Sequence, residues 1–256
     1  MEVHHHPDLH HKPKPWKEYL LEYLMIFLAV MTGFFAESYR EHLSDNSKER
    51  EFIASMIADA RKDTTAISSS ITSNQLRAIR LDTLAALLSG YDGKPNTDTA
   101  IYYYFRRSIQ HPNFVSPAER TLTQLKSSGS MRLIRDRASV DSIISYDNEL
   151  KMLENQQTYY ERYLNESNEF GMHVIDFGHL ILHLKMIDGK IQPNPRSNYQ
   201  GAKLLAKDNN TLMEFSNKVG SYSGVVSFYI VRLKETKKHA VNLIQTLQKQ
   251  YKMEDE

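Results

Sequence analysis

The sequence predicts an all-α protein, with an N-terminal transmembrane helix continuing into a long helix and an antiparallel helical bundle after it. Three observations predict this. Tyr19–Ala36, YLLEYLMIFLAVMTGFFA, is the only strongly apolar run in the 256 residues. Ser38 to Leu88 holds neither Pro nor Gly. Beyond it, apolar residues recur at three- and four-residue steps, and only 10 Gly and 8 Pro punctuate the whole chain.

Residues 1–17 read as a polar, His-rich tail. His4, His5, His6, His10 and His11 could capture a metal ion, but a tail whose histidines bind metal only adventitiously is the simpler reading. Residues 18–39 read as the transmembrane helix. The uncharged part, from Tyr23 to Ala36, is about 14 residues and gives roughly 21 Å of helix, short of the ~30 Å hydrocarbon core. Tyr19, Leu20, Leu21, Ser38 and Tyr39 extend it. Glu22 and Glu37 then fall near the two interfaces, where ionisable groups cost least, and Trp16, Tyr19, Tyr23 and Tyr39 fall where aromatic belts form. A buried core helix is the competing reading. A cleaved signal peptide fits less well, because no small-x-small site follows the run. Ala29 and Gly33, and Thr32 and Ala36, have the spacing that lets membrane helices approach closely.

The flanking charges tie, with Lys12, Lys14 and Lys17 on one side and Arg40, Lys48 and Arg50 on the other. The short tail and its lysines tip the expectation towards a tail in the cytoplasm, an anchor in the cytoplasmic (inner) membrane and a periplasmic C-terminal domain.

Residues 40–256 read as the helical bundle domain, with a solvated stalk at 40–52. The first bundle helix carries the stripe Ile53, Met56, Ile57, Ala60, Thr64, Ile67 and Ile71, resumed by Leu76, Ile79, Leu84 and Leu87 or Leu88. Ser89–Thr99 is rich in breakers and reads as a loop. Ile101–Gln110 reads as a short helix whose aromatics, Tyr102 to Phe105, form a packing wedge under the stems of Arg106 and Arg107. Stacking on nucleic-acid bases is the alternative use of such residues. Ser116-Pro117-Ala118-Glu119 has the form of a capping box and predicts a helix start at Ser116. Ser127-Ser128-Gly129 predicts its end, though a backbone anion cradle is conceivable there. Arg137–Phe170 reads as a long helix facing inward at Ile143, Tyr146, Leu150, Leu153, Gln157, Tyr160 and Leu164. Gly171–Asp188 reads as helix with some strand-like alternation, Gly189–Ser197 as a loop and Tyr199–Lys218 as a helix. Gly220 and Gly224 separate that helix from the last one, whose predicted seam is Val226, Ile230, Leu233, Lys237, Ala240, Ile244, Leu247 and Tyr251.

Composition narrows the function classes. With 32 basic against 31 acidic side chains the formal net charge is +1, unlike the clearly basic balance of a nucleic-acid binder. Without cysteine there is no disulfide framework, thiolate metal site or cysteine nucleophile. No phosphate-binding glycine loop or serine elbow is present, and no cofactor is indicated. The one candidate for chemistry is HVIDFGHLILH, residues 173–183. In a helix, Asp176, His179 and His183 would project to one side, and His179 and His183 have the i, i+4 spacing that can share a metal ion. No Glu follows His179, so the zinc-protease pattern is missing, and histidines at the polar edge of an amphipathic helix explain the segment as well.

Two stretches carry a resemblance, EYLLEYLMIFLAVMTGFFAESYREHLSDNSKEREFI (residues 18–53) and TLTQLKSSGSMRLIRDRASVDSIISYDNEL (residues 121–150). They are similar to a family of uncharacterised membrane proteins of Gram-negative bacteria. In that family an N-terminal membrane helix runs into a charged helix, and an LKxSGxxxLI segment precedes another long helix. Here the segment is Leu125, Lys126, Ser128, Gly129, Leu133 and Ile134. The resemblance implies an anchor and a helical domain, and carries over no catalytic residue. The expectation is a single-pass membrane protein whose helical domain serves interaction, scaffolding or sensing. Its partners are the lipid bilayer, an unidentified protein and a possible second copy of itself. A metal-binding or hydrolytic domain on Asp176, His179 and His183 is the alternative.

Overall fold

Helices α1 (Trp16–Ser89), α2 (Pro95–Ser108), α3 (Arg120–Ser127), α4 (Arg137–Gly171), α5 (Phe177–Ile181) and α6 (Asn209–Tyr251) dominate the computed structural model. A 3-10 turn occupies Ser130–Leu133. One antiparallel hairpin pairs β1 (Leu184–Ile187) with β2 (Lys190–Pro193), placing Leu184 opposite Pro193 and Ile187 opposite Lys190. The structure describes residues 15–253 except 110–111, 182–183, 188–189, 194–198 and 200. The chain falls into two compact units, one ending at Glu51 and the other beginning at Phe52.

In the first unit, α1 presents its large apolar side chains, Leu20 to Phe35, to the surroundings. Thr32 is satisfied within the helix, its hydroxyl donating to the Leu28 carbonyl at 2.8 Å and the Ala29 carbonyl at 3.0 Å.

The second unit is built on three helical seams, each alternating three- and four-residue steps. On α1 the buried seam is Ile53, Met56, Ala60, Asp63, Ile67, Ser70, Asn74, Arg77, Leu81, Leu84 and Leu88. On α4 it is Ser139, Ile143, Tyr146, Leu150, Leu153, Tyr160, Leu164, Ser167 and Gly171, with Gln157 half-buried in register. On α6 it is Leu212, Phe215, Val219, Tyr222, Val226, Tyr229, Leu233, Thr236, Ala240, Leu243 and Leu247. A step averaging 3.5 keeps one stripe turned to the partners along a whole helix, which lets a polar chain bury a continuous core.

The cross-links between seams give the directions. Tyr146 bonds Asp63 and Tyr160 bonds Asn74, so α4 runs parallel to α1. Ser216 bonds Ala85 and Ser223 bonds Asp82, and Ser145 meets His239 while Glu149 meets Arg232; α6 is therefore antiparallel to both. The parallel pair requires a return path, which the described residues between Ser108 and Thr121 follow. Their contacts with α1 step backwards, Ser108 with Arg77, Asn113 with Ser70 and Asn74, Ala118 with Asp63, and Thr121 with Asp59.

Two apolar clusters result. The larger gathers Ile67 to Leu88, α2 and the Tyr160–Tyr222–Tyr229 aromatics. The smaller holds Ile53, Met56, Ile57, Ala60, Ile143, Leu243 and Leu247, and is covered by Leu122, Leu125 and Ile134. The LKxSGxxxLI segment is thus a cover on one end of the bundle. Gly129, in the left-handed region at φ 66°, turns the chain between α3 and the 3-10 turn. The Ser128 hydroxyl donates to the Gln124 carbonyl, as a helix end requires.

Several elements differ from the sequence expectations. Gly220 and Gly224 do not divide a helix; both lie inside α6. Each is exposed, and a helical glycine costs about 1 kcal/mol, less than the ~1.5–3 kcal/mol gained by burying one large seam side chain. The predicted Ile230 is buried, but the α6 seam runs through Tyr229, Thr236 and Leu243, one residue before the predicted Ile230, Lys237 and Ile244. This removes Lys237 as an exception. Along α1, Leu76 and Ile79 are exposed, because the same three-four frame selects Arg77 and Leu81. The predicted start at Ser116 shifts to Arg120: Ala118 and Thr121 direct their amides to Asp63 and Asp59 of α1, so the capping carboxylates come from another helix. The described residues of 171–188 form a turn, the short α5 and β1 rather than one helix. Tyr199 and residues 201–208 are irregular, and α6 begins where the Asp208 carboxylate accepts from the Thr211 amide at 3.0 Å.

Candidate functional site

Asp176 lies before α5, not on it. Its carboxylate accepts from the His179 amide at 3.3 Å and its carbonyl from the Leu180 amide, which makes it the residue that starts the helix. Its own amide donates to the Tyr102 hydroxyl at 2.8 Å, and that hydroxyl donates to the Lys203 carbonyl at 3.0 Å. The His179 ring stands edge-on to Tyr102, with centroids 5.7 Å apart. His183 lies outside the described residues, as do His4, His5, His6, His10 and His11. Among the described residues no group of three or more His, Asp or Glu side chains is arranged to hold a metal ion.

Beside this segment α2 is pinned by a buried carboxylate. Asp98 accepts from the Tyr91 hydroxyl at 2.6 Å and from Lys207 Nζ at 2.8 Å. The Asp98 contact, with a smaller contribution from Tyr91, pushes the Lys207 ammonium up to about 12. Both of these exchanges, Asp98 with Lys207 and Tyr102 with Asp176 and Lys203, join elements distant in sequence and leave their polar atoms satisfied. They position the fold.

The polar members of the α1 seam have a common task. The described residues between Ser108 and Thr121 are mostly non-helical and pass along the core, so their backbone groups need partners. Ser70 Oγ donates to the Asn113 carbonyl at 2.9 Å, as does Asn74 Nδ2 at 3.2 Å, and Arg77 donates to the Ser108 carbonyl. Asp63 accepts from the Ala118 amide at 2.8 Å and from the Tyr146 hydroxyl at 2.7 Å. Burial raises the Asp63 carboxyl above its ordinary range, with Tyr146 and the Ala118 amide opposing. Burial and the Asp63 charge together push the Tyr146 hydroxyl far up. A carboxylate sharing a short hydrogen bond with a tyrosine could serve acid–base chemistry. Here both groups are enclosed in the bundle, Asp63 being 2% exposed, and both of its oxygens are engaged. Sequence reasoning placed no role on Asp63, Asn74 or Arg77. The signal was available: polar residues in phase with an apolar seam.

One surface recess stands apart. It is a cavity of about 730 Å³ between α1 and α6, lined by Ile71 of α1 and by Lys234, Lys237, Lys238, His239, Val241, Asn242 and Gln245 of α6. The remaining feature is the apolar part of α1. By length and composition it is apolar enough to cross a membrane, and none of its apolar stretch is buried by the rest of the described chain.

Compared with known proteins, the chain matches no family model, and no curated protein or solved structure is similar to it.

Proposed function

We propose that this chain is a single-pass membrane protein, anchored by Tyr19–Ala36, whose helical domain binds a partner and is not an enzyme. The observation that carries the reading is the uncovered apolar segment of α1. Met25, Ile26, Val30, Phe34 and Phe35 are each at least 65% exposed. In water that surface would exceed the few hundred Å² a soluble monomer leaves bare, whereas a bilayer covers it without any further protein. A core helix of a soluble bundle would be covered by its neighbours. The enclosed Asp63, Ser70, Asn74 and Arg77 are committed to holding the described residues between Ser108 and Thr121, which favours binding over catalysis.

The finer reading is an anchor in the cytoplasmic (inner) membrane of a Gram-negative bacterium, with Lys12, Lys14 and Lys17 retained in the cytoplasm and the domain periplasmic. It draws on the resemblance carried by residues 18–53 and 121–150. A homodimer through the anchor, with Ala29 and Gly33 at the contact, belongs to the same reading. Two measurements test it. The chain should stay in membranes washed with alkaline carbonate; its release would sink the anchor. Reporter fusions active only outside the cytoplasm, placed after Glu2 and after Glu256, should be active at Glu256 alone. Activity at Glu2 alone would reverse the orientation.

A further inference from the structure

The three long helices define three grooves, and the chain treats them differently. The described residues between Ser108 and Thr121 lie between α1 and α4: they bond α1 from Asp59 to Arg77, and Phe114 packs on Tyr160 of α4 with ring centroids 4.9 Å apart. The groove between α4 and α6 is laced shut, by Arg232 with Glu149 at 3.1 Å and by Ser145 with His239 at 3.0 Å. The groove between α1 and α6 is tied towards the C-terminal end of α1, where Ser216 and Ser223 bond Ala85 and Asp82. Beside Ile71 it opens into the recess of about 730 Å³.

That recess is chemically one-sided. Lys234, Lys237 and Lys238 all line it, and no carboxylate does. Lys234 and Lys237 make no hydrogen bond or ion pair with any described residue, and Lys238 reaches only Glu235 of its own helix, at 3.9 Å. Like charges three and four residues apart on a helix repel, so the cluster is unfavourable until an anion answers it. Its lining also holds two apolar side chains, half-buried Ile71 and Val241, which is 37% exposed. Asn242 and Gln245 add amides to the lining.

We propose that this groove is the docking site for an acidic amphipathic helix of a partner protein. The inference rests on reading the domain as an interaction module and names the partner's chemistry. The helix lies along α1 and α6 as a further member of the bundle. It sets apolar residues at i, i+3 and i+4 spacing on Ile71 and Val241 and its carboxylates against Lys234, Lys237 and Lys238. A bare polyanion would satisfy the lysines but leave the apolar lining residues unused. The formal net charge of +1 also supplies no general field to gather one, so the attraction is confined to this face.

The test uses the full chain in detergent micelles and a labelled synthetic helix of about three heptads, with leucine on its seam and glutamate on both flanks. Fluorescence anisotropy should show saturable binding that weakens as salt rises, since exposed charge pairs are screened within about 10 Å at 0.1 M salt. The double variant Lys234→Glu, Lys237→Glu should lose at least about tenfold in affinity, as like charges across an interface oppose docking. The milder Lys234→Gln, Lys237→Gln pair should fall in between. Both lysines are on the surface, and an unchanged circular dichroism melt verifies that the variants fold. Absence of binding, equal binding by the variants, or equal binding of a peptide with glutamine in place of glutamate overturns the proposal. So does binding of heparin in place of the peptide, which would mark a polyanion site. None of these results touches the anchor, which the carbonate wash decides separately.

Discussion

Replacing Gly171 by alanine tests how tightly the end of α4 is packed. A Cβ at Gly171 would lie 2.8 Å from Phe105 Cζ, closer still to Phe105 Cε2, and 3.3 Å from Phe215 Cζ. Comfortable carbon–carbon contacts are about 3.5–4.0 Å, so the Phe105 ring must withdraw. It has little room, because Phe105 is 0% exposed and its ring is edge-on to Phe177, with centroids 5.6 Å apart, and tilted on Phe215 at 6.1 Å. Forcing one carbon into such a core costs about 1–3 kcal/mol. The helical preference of alanine returns at most ~1 kcal/mol in a helix interior, and less at the last helical residue. The net expectation is a loss of roughly 1–2 kcal/mol, or about 2–8 °C in melting temperature at ~2–4 °C per kcal/mol for a domain of this size. Thermal melts of the full chain in detergent, followed by far-ultraviolet circular dichroism, measure it. Phe105→Leu in the Gly171→Ala background should recover part of the loss, as residues in contact are energetically coupled. A Gly171→Ala melting temperature at or above that of the native chain would refute the packing argument.

Three further outcomes follow from the same structure. Gly220→Ala with Gly224→Ala should stabilise the domain by about 1–2 kcal/mol in total, because neither added Cβ meets an atom within 4 Å; a lower melting temperature would mean that α6 is not continuous there. Tyr160→Phe should cost about 1–3 kcal/mol by urea denaturation, since it strips the 2.9 Å hydrogen bond from the buried Asn74 side-chain oxygen; no change would show that this layer is not enclosed. Asp63→Asn should alter the pH dependence of stability. The folded carboxyl is raised above its ordinary value of 3.8, so its favourable contribution is complete below that value and lost as pH rises through the folded one. Asparagine can still accept from the Ala118 amide and donate to the Tyr146 oxygen. The native chain should therefore lose stability relative to Asp63→Asn as the pH is raised above 3.8, and a difference that grows in the opposite direction would exclude a raised Asp63.

Much of the fold was legible in the sequence because long seams and sharp breakers are local signals. The boundaries of α4, the turn at Gly129 and the inward face from Ile143 to Leu164 follow from spacing and capping alone. What failed was non-local. The capping box at Ser116 lost to Asp59 and Asp63, which lie on another helix. The glycines of α6 lost to the core they flank. The seam of α1 was misread past Ile71 because its polar members, Asn74 and Arg77, look like surface residues until the backbone they serve is in view. For Asp176 and His179, spacing suggested a shared helix face, but Gly171 and the α5 cap placed Asp176 outside the helix.

The return path of residues 108–121 also sets the order in which the domain can be assembled. Its hydrogen bonds to α1 join residues 31 to 62 positions apart, and those of Ser216 and Ser223 to α1 span 131 and 141. Closing such intervals costs loop entropy before any burial is gained. A growing chain that has released only α1 exposes Asp63, Asn74 and Arg77 without the backbone they are placed to bind, and one that has reached Gly171 still lacks the face that α6 covers. Until α6 emerges the apolar seams of α1 and α4 stay open to wrong partners, so this domain should depend on protection during synthesis more than a bundle of consecutive hairpins does.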